Sequence, residues 1–118
     1  MDSILTSVKK MLGIEESYQH FNADLIMHIN SVFAILSQLG VGPTNGFTIE
    51  DENAKWNDYF GSNKNLEFVK TYIYLKVRLL FDPPQNSFVV DAINKQINEL
   101  EWRINLAAES KTEVNQNG

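Results

Sequence analysis

The chain of 118 residues contains no cysteine. Disulfide bonds, thiolate nucleophiles and zinc sites built on thiolates are therefore excluded. A chain without cysteine also tolerates a reducing cytoplasm. No apolar run approaches the roughly 20 residues that a membrane-spanning helix needs. The first residues, Met1 to Ile4, lack a basic segment followed by an apolar one, so we expect no signal peptide.

Basic residues are scarce as well. Ten Lys and Arg stand against fifteen Asp and Glu, which gives a formal net charge of -5. Proteins that bind nucleic acids gain much of their affinity by placing Lys and Arg against phosphates. An acidic chain without a basic cluster is therefore a poor candidate for a DNA or RNA reader, and its field repels a passing duplex.

The residue types that usually carry catalysis are few or badly spaced. The two histidines, His20 and His28, do not have the i, i+4 spacing of a helical zinc site. The densest acidic group, within residues 50–58, lacks the spacing of a calcium-binding loop and is interpreted as a solvated surface. We therefore predict no catalytic residue, no metal site and no cofactor, and an enzyme is the least favoured function.

Apolar residues recur at helical spacing in four segments, which predicts an all-α domain resembling a small four-helix bundle. The predicted helices cover residues 3–12, 23–39, 65–81 and 87–108. Residues that favour helix starts precede or open each segment, and the predicted N-caps are Asp2 or Ser3, Asn22, Asn65 and Ser87. Residues that end helices follow the first three segments, namely Gly13, Gly40 and the pair Pro83-Pro84.

The C-terminal segment differs from the rest of the chain. Residues 109–118 contain a single apolar side chain, which is too little to form a packed structure. We therefore predict a single domain over residues 1–108, followed by a flexible polar tail that is disordered on its own.

A long irregular connection, here called the excursion (residues 40–65), joins the second and third predicted helices. Phe47-Thr48-Ile49 alternates apolar and polar residues and is compatible with a short strand. Trp56, Tyr59 and Phe60 indicate one or two helical turns. Because connections of this length are usually functional or mobile, the excursion is the first candidate for a contact surface.

Aromatic residues in this chain allow more than one interpretation. Trp56, Tyr59 and Phe60 could stack on nucleic acid bases, but the surrounding charges are mainly acidic. A local mini-core or a protein-contact patch fits these residues better. Trp102, in the last predicted helix, is either a half-buried bundle residue or an exposed anchor, since Trp is enriched at interface hot spots.

These features favour a function in protein contacts. The candidate contact residues lie in the excursion, the last helix and the tail, and they are Phe47, Ile49, Trp56, Tyr59, Phe60, Trp102, Glu109 and Val114. The last helix also places apolar residues at steps of three and four from Val90 to Ala107, as in a coiled-coil seam. That seam favours, as an alternative, an acidic interaction or regulatory module acting as a monomer or dimer.

Four segments carry a family resemblance over residues 3–108. They read ILTSVKKMLGI (4–14), HINSVFAILSQLGVGP (28–43), TYIYLKVRLLFDPP (71–84) and ELEWRIN (99–105). In this order they resemble the small helical head–tail connector (adaptor) proteins of long-tailed bacteriophages and prophages. The helix that ends in Phe81-Asp82-Pro83-Pro84 is the most specific of these elements.

The resemblance implies a structural virion protein of the capsid–tail neck, made in the cytoplasm of the bacterial host. It implies self-association into a ring, dodecameric on the phage portal protein, that extends the DNA channel. The ring provides a platform for a downstream stopper, neck or tail-completion protein, and DNA passes through it without sequence-specific binding. No catalysis, cofactor or membrane contact is implied. The implied contacts lie in residues 41–65 and 102–118.

Overall fold

Helices form the regular structure of the protein. The computed structural model describes residues 3–61 and 67–117, with side chains described up to residue 107. Within these ranges there are five helices: α1 (Ile4–Met11), α2 (Asn22–Gln38), α3 (Trp56–Phe60), α4 (Glu67–Phe81) and α5 (Ser87–Asn117). The described residues contain no strand, and one isolated bridge joins Ser3 to Lys55. The predicted all-α fold is therefore confirmed.

Helix α4 is the central element of the domain. It packs against α2 on one side and against α5 on the other, while α1 packs against α2. The buried positions of α4 span about 200° of the helix at 100° per residue, and they are Val69, Tyr72, Ile73, Leu75 and Val77. A helix buried over so wide an arc needs apolar residues well beyond one narrow stripe.

The neighbours of α4 run antiparallel to it. The ring of Phe21, at the start of α2, lies 5.1 Å from that of Phe81 at the end of α4. Phe68, near the start of α4, shares a groove with Leu106, far along α5. The 31 residues of α5 extend about 46 Å, close to the longest dimension of the molecule, 48 Å. Helix α5 therefore spans the length of the protein along its outside.

Two predicted helix-end signals are found where the sequence indicated them. The Oγ of Ser3 accepts a hydrogen bond from the Thr6 N–H at 3.2 Å, which caps α1. Gly13 ends the same helix with a φ of 80°, a conformation that glycine adopts without strain.

Two other predicted caps are wrong by one position. Asn22 is the first residue of α2, and the N-cap position is Phe21, which makes no side-chain cap bond. At α5 the cap is Asn86 rather than Ser87, because the Asn86 Oδ1 accepts the Phe88 N–H at 2.8 Å. Asn65, the predicted cap of the third helix, lies outside the described residues.

Two further expectations concern the irregular parts of the chain. The short strand considered for Phe47-Thr48-Ile49 does not form, and these residues are irregular. The backbone of α5 continues to Asn117 and so includes residues 109–117. The flexibility of the tail and the domain boundary at residue 108 stay predictions. None of the helices in the described ranges combines the length and apolarity needed to cross a membrane.

A buried charge fixes the segment between α1 and α2. Lys9 is only 2% exposed. Its Nζ donates to the carbonyl oxygen of Glu16 at 2.9 Å and to that of Tyr18 at 2.6 Å. The ammonium group thus satisfies two backbone acceptors of an irregular segment and holds that segment against α1.

Replacement of Lys9 by methionine tests this tether. Lys9→Met keeps most of the side-chain volume but removes the donor, so we expect the free energy of unfolding to fall by about 1–2 kcal/mol. Lys10→Met is the matched control, because Lys10 is exposed and such changes stay within about 0.5 kcal/mol. Urea denaturation measures the free energy of unfolding of both variants. Equal stability of the two would contradict the claim that Lys9 holds the segment between α1 and α2 in place.

Candidate protein-contact surface

One side chain of α2 anchors the excursion. The Nδ2 of Asn30 donates to the carbonyl oxygen of Ile49 at 3.0 Å, and the Ile49 N–H donates to the Asn30 Oδ1 at 2.7 Å. The amide thus satisfies both backbone groups of Ile49, whose side chain is 2% exposed. Sequence analysis missed Asn30. The one feature of the sequence that marks Asn30 is its place as a polar residue beside the apolar positions Ile29 and Phe33.

The later part of the excursion is anchored on α1. The Ile4 N–H donates to the carbonyl oxygen of Ala54 at 3.0 Å. The indole Nε1 of Trp56 donates to the Ser7 Oγ at 3.1 Å. The excursion is therefore attached to α2 at one point and to α1 at another. Between these two points it packs against both helices.

The aromatic residues of the excursion form an internal cluster with α2. The ring centroid of Phe33 lies 5.1 Å from that of Phe47 and 4.6 Å from that of Tyr59. Trp56 stacks on Phe60 at 5.8 Å. Trp56 and Tyr59 are each 4% exposed, while Phe47 and Phe60 are half-buried. In the folded chain these candidate residues, together with Ile49, therefore pack as the local mini-core that is one interpretation of the sequence.

Burial also fixes the ionisation of Tyr59. Removal from water raises the pKa of the Tyr59 hydroxyl well above its usual range. The side chain therefore remains neutral and acts as a packing group against Gly42. A Cβ at Gly42 would lie 2.7 Å from the Tyr59 Cε1, and the φ of Gly42 is 94°. Only glycine fits this close approach without displacing the ring.

The polar residues in the described part of the excursion, up to residue 61, face solvent. The acidic side chains considered above, Glu50, Asp51, Glu52 and Asp58, are all exposed. The Asp58 Oδ2 accepts the Lys55 N–H at 2.8 Å, which stabilises the first turn of α3. Within the described ranges, no group of three or more His, Cys, Asp or Glu is placed to hold a metal ion.

The two histidines lie apart from this region and pack against aromatic rings. The exposed His20 has its ring 5.0 Å from that of Phe21. The half-buried His28 lies 6.5 Å from Phe81. Both therefore serve the packing around the start of α2 and the end of α4.

The largest exposed candidate residue is Trp102 on α5. Trp102 is 65% exposed and Leu106 is 47% exposed. Together with its neighbours Trp102 borders a shallow groove of about 410 Å³, here called the α5 groove, lined by Phe68, Trp102, Arg103, Leu106 and Ala107. The Arg103 Nη2 lies 2.9 Å from the Glu99 Oε1, an exposed ion pair at the edge of this groove. Exposed aromatic surface beside a charge is typical of protein contacts.

The coiled-coil-like seam of α5 is already used within the chain. Its central residues are buried in the packing of α5 against α4, and they are Ile93, Ile97, Leu100 and Ile104. The side chains of Glu109 and Val114 lie outside the described residues, so their contact role stays a prediction.

The geometry defines a small helical domain with an apolar groove on its outer helix. The sequence profile described as phage connector protein matches residues 4–111, which include α1 to α4 and most of α5. The chain therefore belongs to the phage connector protein family, which confirms the resemblance found in the sequence. Neither a curated protein nor a solved structure is significantly similar to the chain.

Paired glycine substitutions test the packing of the excursion. Gly42→Ala places a Cβ against the Tyr59 ring, whereas a Cβ at Gly46 meets nothing within 4 Å. Both residues have positive φ values, so Gly46→Ala measures the backbone strain alone, about 1–2 kcal/mol. We expect Gly42→Ala to cost about 2 kcal/mol more, because the ring must move. Thermal or urea unfolding gives the loss in the free energy of unfolding for each variant. Equal losses would contradict the prediction, because they would show that the Tyr59 ring moves aside at no energetic cost.

Proposed function

We propose that this protein is a head–tail connector of the phage neck that assembles as a homo-oligomeric ring beneath the portal protein. The ring extends the channel for DNA and gives the next neck or tail-completion protein its platform. The observation that carries the proposal is the family match over residues 4–111. The function requires protein contacts only, with no cofactor.

The charge of the chain supports a passage for DNA rather than a binding site. The net charge is -5, and the acidic residues Glu50, Asp51 and Glu52 are exposed. A duplex held by many phosphate contacts would be slow to leave the capsid. An acidic wall repels phosphates and lets the DNA slide.

The outer helix supports assembly with other proteins. Helix α5 spans the length of the molecule and exposes Trp102 and Leu106 in the α5 groove. Exposed apolar patches rimmed by polar residues mark protein contacts in soluble proteins. A structural protein of the neck needs such surfaces for its own copies and for its neighbours.

A dimeric regulatory module is less favoured by the structure than by the sequence. That alternative, an acidic module acting as a monomer or dimer, is motivated by the seam together with the negative charge, and Ile93, Ile97 and Ile104 of the seam are buried against α4. A partner could reach the seam only by displacing α4, which would open the core.

Removal of the gene from the phage that encodes the chain tests the proposal. We expect capsids and tails to form but to remain separate, because the neck lacks its connector. Electron microscopy of the lysate counts joined and unjoined particles. The wild-type gene supplied in trans is the control and should restore joining. Normal joining without the gene would rule out the proposed function.

A further inference from the structure

One asparagine of the excursion combines features that favour a spontaneous change of its side chain. Asn45 is followed by Gly46 in the chain, and Asn45 is exposed to water. Gly46 has a φ of 85°, and a Cβ built there would meet nothing within 4 Å. Because glycine carries no Cβ and the space beside it is open, the Gly46 nitrogen can approach the Asn45 side chain without steric hindrance.

A second exposed asparagine of the excursion lacks these features. The Nδ2 of Asn53 donates to the Asp51 Oδ2 at 3.3 Å, and the residue that follows is Ala54. A Cβ on the following residue hinders the approach of its nitrogen to the asparagine side chain. In residues 3–61 and 67–107, Asn45 is the one asparagine that precedes a glycine.

The backbone turn at residues 43–46 controls the Gly46 nitrogen. The Gly46 N–H donates to the carbonyl oxygen of Pro43 at 2.9 Å. The nitrogen is not a nucleophile while it keeps its proton in this bond, so only the open turn can react. One backbone hydrogen bond shifts such an equilibrium by roughly three- to tenfold, and exposed turns open far more often than a core does. The turn therefore slows the reaction without preventing it.

We propose that Asn45 is a site of spontaneous deamidation, at a rate set by the opening of the turn at residues 43–46. The Gly46 nitrogen gives its proton to water and bonds to the Asn45 Cγ. The bond from Cγ to Nδ2 breaks, and the amide nitrogen takes up a proton and leaves as ammonia. Water then opens the cyclic imide at one of its two carbonyl carbons. Opening at Cγ gives aspartate, and opening at the backbone carbonyl carbon gives isoaspartate, in which the chain runs through Cγ.

The two products differ in their effect on the fold. Aspartate adds a charge at an exposed position, where substitutions change stability little. Isoaspartate lengthens the backbone just before Phe47, whose ring lies 5.1 Å from that of Phe33 and 5.2 Å from that of Tyr59. We therefore expect the isoaspartate form to unfold at a lower temperature than the wild type, and Asn45→Asp to unfold close to it. This inference does not rest on the proposed function.

Incubation of the purified protein at mildly alkaline pH tests the site. Peptide mapping by mass spectrometry detects the exchange of an amino group for a hydroxyl, and chromatography separates the isoaspartyl peptide from the aspartyl one. We expect both products at Asn45 in the folded protein. The same chain unfolded in urea should react roughly three- to tenfold faster, because the bond to Pro43 is lost.

Two glutamine substitutions provide the variant and its control. Asn45→Gln keeps an amide but requires a larger ring, so the products at this position should disappear, whereas Asn53→Gln should leave them unchanged. An Asn45 that stays intact in the folded protein while the unfolded chain is converted would overturn the proposed site. Equal rates in the two states would overturn the control by the turn. Equal modification of Asn53 in the wild type would show that neither Gly46 nor the open space selects the site.

Discussion

The burial of α4 on two sides is the constraint on which the rest of the structure depends. Its buried residues span about 200° of the helix, so a single neighbour cannot cover them. Helix α2 covers one side and α5 covers the other. The aromatic and β-branched residues that make α4 resemble a strand in sequence, such as Tyr72, Ile73 and Val77, belong to this wide buried arc.

That central helix also determines which surfaces are left for other proteins. The excursion is tied to α2 through Asn30 and to α1 through Ile4 and Ser7, so its aromatic residues complete the core. Helix α5 lies on the outside and uses one face on α4, which leaves its opposite face, with Trp102, for contacts. An acidic domain with an apolar groove on its outer helix is compatible with the connector function proposed above.

Helix positions followed from the sequence because apolar spacing and Gly or Pro stops act locally, as at the end of α4 before Pro83. Features set by tertiary contacts could not be found in this way. Lys9 lies one turn after Leu5 on the apolar face of α1, but spacing alone does not reveal that two backbone carbonyls would meet its ammonium group. Asn30 is similar, since its partner Ile49 is distant in sequence. Leu80 follows the spacing of Val77 yet is 52% exposed, which spacing alone does not reveal.

The most direct test of a ring-forming connector is the mass of the purified protein over a wide concentration range, with images of any large species. Light scattering after size-exclusion chromatography, with and without portal protein, gives that mass. The predicted result is a closed ring with a central hole, formed by the protein alone or on the portal. A fixed dimer, or a monomer that portal protein does not assemble, would contradict the proposed function.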